Sequence, residues 1–141
     1  MPVIILLAFA STGILQSCEG SKFAFNARYD SVMISRVEGV KASTLAFYDN
    51  IKVSNDKSFD FHAATYQLID TTLAVLVADE GQRKKNDAVI FQAKTALSFF
   101  RKFSKEHEKM KNIPPTVLES HRKYMLDIYD TWLSTERQLN K

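Results

Sequence analysis

The chain is poor in the residues that build loops and cross-links. Its 141 residues include 4 Gly, 3 Pro and 1 Cys. So few turn formers argue against a β-sandwich and against a site built from glycine-rich loops. A single cysteine excludes an intrachain disulfide framework and a multi-cysteine zinc site. No apolar run reaches the ~20 residues that cross a bilayer as a helix. A strong excess of one charge is missing too. The 19 Lys and Arg stand against 16 Asp and Glu, and a net +3 does not point to nucleic acid. What is present, 45% hydrophobic and 25% charged residues, is the composition of a folded globular chain. The length fits one domain.

The first eighteen residues differ from the rest. No charged side chain occurs in residues 1–17, and all charged residues lie at Glu19 or later. Val3 to Ala10 is a continuous apolar run of eight, the length of a signal-peptide core rather than of a membrane span. Ser11-Thr12-Gly13 follows, then Ile14-Leu15-Gln16-Ser17-Cys18. Read from the residues alone, this stretch is a leader, an uncleaved anchor, or the buried start of a first helix with Cys18 as a small core residue. Leu15, Ser17 and Cys18 resemble the lipobox of bacterial lipoproteins, where a Leu stands three before an invariant Cys and a small residue just before it. Gln16 departs from that pattern, as does the lack of a basic residue before the apolar run. The resemblance implies a cleaved leader at 1–17, covalent lipid on Cys18, a linker at 18–24 and a folded domain at 25–141. A triply acylated cysteine exceeds the two lipid signals that stable attachment requires. By the same resemblance Glu19 favours the outer membrane. The domain is then expected in the bacterial cell envelope, membrane-anchored and facing the periplasm or the cell surface.

Beyond Lys22 the apolar residues recur at alternating steps of three and four, and strand-like alternation is scarce. Helix 1 is expected from about Phe25 to Val53, with a seam of Met33, Val37, Val40, Thr44, Phe47 and Ile51. Ser54-Asn55-Asp56 ends it and offers caps to helix 2, expected from about Asp56 to Asp79. The second seam is Phe59, His62, Tyr66, Ile69, Leu73 and Leu76. Helix 3, from about Asn86 to Lys111, carries Val89, Ala93, Ala96, Phe100, Phe103, His107 and Met110, and Pro114-Pro115 stops it. Helix 4 runs to about Gln138 with Leu118, His121, Met125, Ile128, Trp132, Thr135 and Leu139. Short links make neighbours antiparallel, so the expected fold is an all-α, up-down-up-down four-helix bundle. A helical hairpin that dimerises is the structural alternative.

That topology fixes what meets at each end. The 2–3 link, with Arg83, Lys84 and Lys85, shares an end with the N-terminus, where the three basic residues are candidates for contact with anionic headgroups. His62, His107 and His121 all fall on seam positions near the opposite end. Three imidazoles at one level are a competent shell for a divalent metal, or a pH-sensitive layer. Residues 83–111 hold nine Lys and Arg against three Asp and Glu. Lys94, Arg101, Lys102, Lys105 and Lys109 are expected as an outward basic stripe paired with acidic neighbours such as Asp127 and Asp130.

Bundle chemistry of other kinds is not encoded. No Glu is followed three residues later by His, as a ferritin-like di-iron site needs, and no His-Glu-x-x-His, Gly-x-Ser-x-Gly or phosphate-cradling glycine loop occurs. The expectation is a non-catalytic envelope lipoprotein. It would bind another envelope or foreign macromolecule, most simply a protein, and no nucleic acid. The alternative is a periplasmic bundle that binds a metal or small ligand through its histidines.

Overall fold

Helix-forming stretches of about 25 residues, each with one apolar stripe and separated by short breaks, have a simple way to bury those stripes: against each other. The computed structural model describes residues 17–83 and 86–139, with side chains from Ser31 onward. It contains α1 (Ser17–Val53), α2 (Phe59–Gln82), α3 (Asp87–Met110) and α4 (Pro115–Leu139), and no strand among the described residues. Residues 1–16, including Leu15 and Gln16 of the lipobox-like run, lie outside the described residues, as do Lys84 and Lys85. Of Ser17 and Cys18 only the backbone is described, at the start of α1.

Cross-helix contacts establish the directions. Along α1 and α4, Glu38 pairs with Arg137, Lys41 with Asp130, Asp49 with Arg122 and Lys52 with Glu119. One number rises as the other falls, so the two helices are antiparallel. The same holds for α1 and α2 through Arg36–Asp79 and Phe47–His62. It holds for α2 and α3 through Asp70–Arg101 and Tyr66–His107, and for α3 and α4 through Glu106–His121 and Phe103–Tyr124. Each helix packs on two neighbours in the cycle α1–α2–α3–α4–α1, and among the described residues neither diagonal pair is in close backbone contact. The fold is the up-down-up-down bundle.

The links explain where the helices begin and stop. Asp56, expected at the start of helix 2 as part of its capping break, is used in the preceding turn, where its Oδ1 accepts the Ser58 N–H at 2.8 Å. Ser58 then caps α2 by accepting the Phe61 N–H at 3.4 Å. At the same end, Phe59 N–H donates to the Lys111 carbonyl at 2.8 Å, which ties the 1–2 link to the 3–4 link. Lys111 sits at φ 62, ψ −55, and Asn112 N–H reaches back to the Met110 carbonyl at 2.8 Å. This is the strained form of the three-residue turn. α2 passes through Gly81, because Arg83 returns to Glu80 with both its backbone N–H and its guanidinium.

The core follows the expected seams on three helices. Met33, Val37, Val40, Thr44, Phe47 and Ile51 of α1 are buried, with Tyr48 beside them. On α2 and α3 the seams are also kept, except that Phe59 is half-buried and Met110 exposed. α4 departs. Its buried residues are Leu118, His121, Met125, Tyr129, Trp132, Leu133 and Glu136, so Ile128 and Thr135 move to the seam's edge and Leu139 is exposed. The steps 118→129, 121→132 and 125→136 repeat every eleven residues. A straight α-helix drifts against a seven-residue repeat, and an eleven-residue repeat absorbs that drift. The consequence is a carboxylate, Glu136, at a core position.

Candidate functional site

Two buried polar layers lie at opposite ends of the bundle, with an uncharged outer face between them. At the end formed by the 1–2 and 3–4 links, His62, His107 and His121 are all buried, as their seam positions require. His62 and His107 come together, with ring centroids 6.4 Å apart. His107 Nε2 lies 2.8 Å from the Lys57 carbonyl, which only accepts, so that nitrogen carries the proton. Nδ1 of the neutral ring then accepts from the Tyr66 hydroxyl at 3.0 Å. His62 Nε2 donates to the Asp56 carbonyl at 2.9 Å. His121 stacks on Phe103 at 4.0 Å and donates from Nε2 to Glu106 at 2.9 Å, while its buried Nδ1 has no hydrogen-bond partner.

These bonds decide what the layer can do. Burial holds the pKa of His107 below the ordinary value, opposed by the Lys57 carbonyl and reinforced by His62. Burial lowers that of His121 as well, against the pull of Glu106. Both rings are therefore neutral in the fold. Both nitrogens of His107 are engaged, and among the described residues no group of three or more His, Cys, Asp and Glu is arranged to hold a metal. The layer does not fit a three-imidazole metal shell. It is a hydrogen-bonded joint that locks the links to the helices.

The opposite end holds a cluster that the sequence reading did not anticipate. Glu80 and Glu136 are fully buried, and the Arg83 guanidinium bridges them at 2.7 Å to each. Asn86 donates to Glu80 Oε2 at 2.8 Å. The two carboxyl groups adjoin through Arg83, and a proton on Glu136 would let it donate to the neighbouring carboxylate. Burial first, and then Glu80, push the Glu136 pKa up from 4.5 to about 7, against the pull of Arg83. Two carboxyls with one proton and one guanidinium make a neutral cluster, the form in which such groups tolerate burial. The Arg83 side chain thus turns inward, and Lys84 and Lys85 lie outside the described residues.

The outward faces differ sharply in charge. On α3, Lys94, Arg101, Lys102, Lys105 and Lys109 line a shallow groove of about 610 Å³. Arg101 is held bidentate by Asp70, and Lys102 lies 3.9 Å from Glu106. The acidic neighbours are therefore on α2 and α3. Asp130, expected in that role, faces α1 and pairs with Lys41, because α4 turns that side away from α3. On α2 the exposed positions from Phe61 to Ala78 are Phe61, Ala64, Thr65, Gln67, Leu68, Thr71, Thr72, Val75 and Ala78, and none is charged. Phe61, Leu68 and Val75 are 65%, 67% and 48% exposed. The signal in the sequence was the scarcity of charged residue types between Asp60 and Asp79, where Asp70 is the one Asp, Glu, Lys or Arg.

No protein-family model matches the chain, and no curated protein or solved structure matches it either. Among the described residues no helix is long and apolar enough to cross a membrane.

Proposed function

We propose that this chain is a non-catalytic, lipid-anchored module of the bacterial cell envelope that binds a macromolecular partner through the outer face of α2. One observation carries the binding half of this reading. A helix about 36 Å long turns an uncharged face with three large apolar side chains to solvent, in a chain a quarter of whose residues are charged. A surface helix normally keeps charge on that side, and a contiguous apolar strip marks a surface that a partner covers. The anchoring half rests on the lipobox-like Leu15, Ser17 and Cys18. The histidine alternative has less support, since both ring nitrogens of His107, the ring that His62 approaches, are taken by hydrogen bonds of the fold.

The test uses the full chain in bacterial cells. A photo-crosslinking residue in place of Val75 is expected to give a discrete adduct, and the same probe in place of Lys123 on the charged face of α4 none. No adduct from α2 refutes the docking face. Separately, Cys18→Ala should abolish palmitate incorporation and move the chain from membrane to soluble fractions. Unchanged lipid incorporation refutes the anchor.

A further inference from the structure

We infer that a second copy of this chain covers the outer face of α2, with the two α2 helices packed antiparallel about a two-fold axis. This rests on the reading of α2 as a docking face and names its occupant. The large residues Phe61, Leu68 and Val75 are seven apart, and the small residues Ala64, Thr71 and Ala78 are seven apart with an offset of three. All six are exposed. Together they form a heptad seam on the side of α2 opposite the bundle core, alternately large and small.

In an antiparallel pair each large position faces a small one. Phe61 meets Ala78 of the partner subunit, Leu68 meets Thr71 of the partner subunit, and Val75 meets Ala64 of the partner subunit. Each position number and its opposite sum to the same value, so one register satisfies all six layers. Every layer then has similar width, and the small residues allow close approach along about 26 Å. A parallel pair would set Phe61 on Phe61 and Ala64 on Ala64, which alternates crowding with voids. Such self-complementarity is what a two-fold interface demands of a single surface.

Charge agrees with size. The flanks along the length of the seam are Thr65, Thr72, Gln67 and Ala74, and the carboxylates Asp60 and Asp79 flank only its two ends, so no charged side chain is desolvated between them. Asp70 is drawn to Arg101 on the α3 side and Asp79 to Arg36 on the α1 side. The two-fold axis puts both α3 helices on the same side of the pair, so that their basic faces add to one positively charged side. Salt should therefore tighten the pairing by screening that repulsion, whereas it would weaken binding to an anionic surface.

The test is sedimentation of the purified full-length chain at low and high salt. The wild type should be a dimer, more so at high salt. Leu68→Glu and Thr71→Lys should each raise the dissociation constant by about 100-fold or more while helical signal and melting stay intact. Mixing the two variants should restore association, because the introduced carboxylate and ammonium meet across the Leu68–Thr71 layer only in the antiparallel register. A wild type that stays monomeric at every concentration overturns the pairing, as does a mixture that stays monomeric. The docking reading is judged apart, by the Val75 probe. An adduct of twice the chain mass supports both claims, adducts of other masses only overturn the second copy alone, and no adduct overturns both. Wild-type monomer that binds anionic vesicles, with loss in Leu68→Glu, assigns the face to lipid and refutes the pairing.

Discussion

Replacing Glu136 by Gln should change how the fold responds to pH, and the structure gives the sign. In the unfolded chain Glu136 releases its proton near 4.5, whereas in the bundle it holds the proton up to about 7. Between those values the folded state binds more protons than the unfolded state, so stability falls as pH rises through this window and levels off above it. A shift from 4.5 to about 7 corresponds to a loss of about 3 kcal/mol across the window. The buried histidines act in the opposite sense. His107 and His121 are held neutral in the fold, so below about pH 6.5 the unfolded chain gains protons that the folded one refuses, and stability falls as pH falls. In the wild type the two slopes oppose each other between about pH 5 and 6.5.

The Gln side chain resolves them. Its amide can donate to the Glu80 carboxylate and its oxygen still accepts from Arg83, so position 136 no longer titrates. Urea unfolding followed by helical ellipticity, at steps from pH 5 to pH 8, reads the difference. At pH 8 Glu136→Gln should exceed wild type by about 1–3 kcal/mol, and at pH 5 the two should agree within about 1 kcal/mol. Freed of the carboxyl slope, the variant should gain stability steadily from pH 5 to 6.5. Parallel profiles for the two proteins would show that no proton is trapped between Glu80 and Glu136, and the reasoning would fail.

Three further substitutions probe the same physical account. Tyr66→Phe removes the donor to His107 Nδ1 and leaves that buried nitrogen unpaired, for an expected loss of about 1–3 kcal/mol in the same unfolding assay. Tyr48→Phe should be neutral or stabilising by up to about 1 kcal/mol, because the Tyr48 hydroxyl is buried without a hydrogen-bond partner and burial raises its pKa far above the ordinary value. Lys111→Gly relieves the positive φ at the end of α3 and should raise stability by about 1 kcal/mol, visible as a higher melting temperature.

How far the molecule was legible in its sequence depends on which force set each position. The seams of α1, α2 and α3 were readable because burial of apolar side chains repeats with the helix, and nothing competes with it at Val37, Leu73 or Phe100. The level of the three histidines was readable for the same reason, since topology and link length place them. Their partners were not. The Lys57 carbonyl and the Asp56 carbonyl belong to an irregular link whose path follows from an Asx turn and the Ser58 cap, not from periodicity. The carboxylate cluster was hidden twice. Glu80 lies four after Leu76, where the α2 seam continues, but Asp79 and Gly81 beside it read as a polar end. Glu136 enters the core because α4 drifts by one position after Met125, and a seven-residue count lands on Thr135 instead. The pair became compatible with burial when Arg83 folded back from the end of α2, so each of these residues explains the others only in three dimensions. By the same logic the outer face of α2 is informative where the core rules are silent. Burial within one chain does not account for Phe61, Leu68 and Val75, so their spacing is determined by what lies outside it.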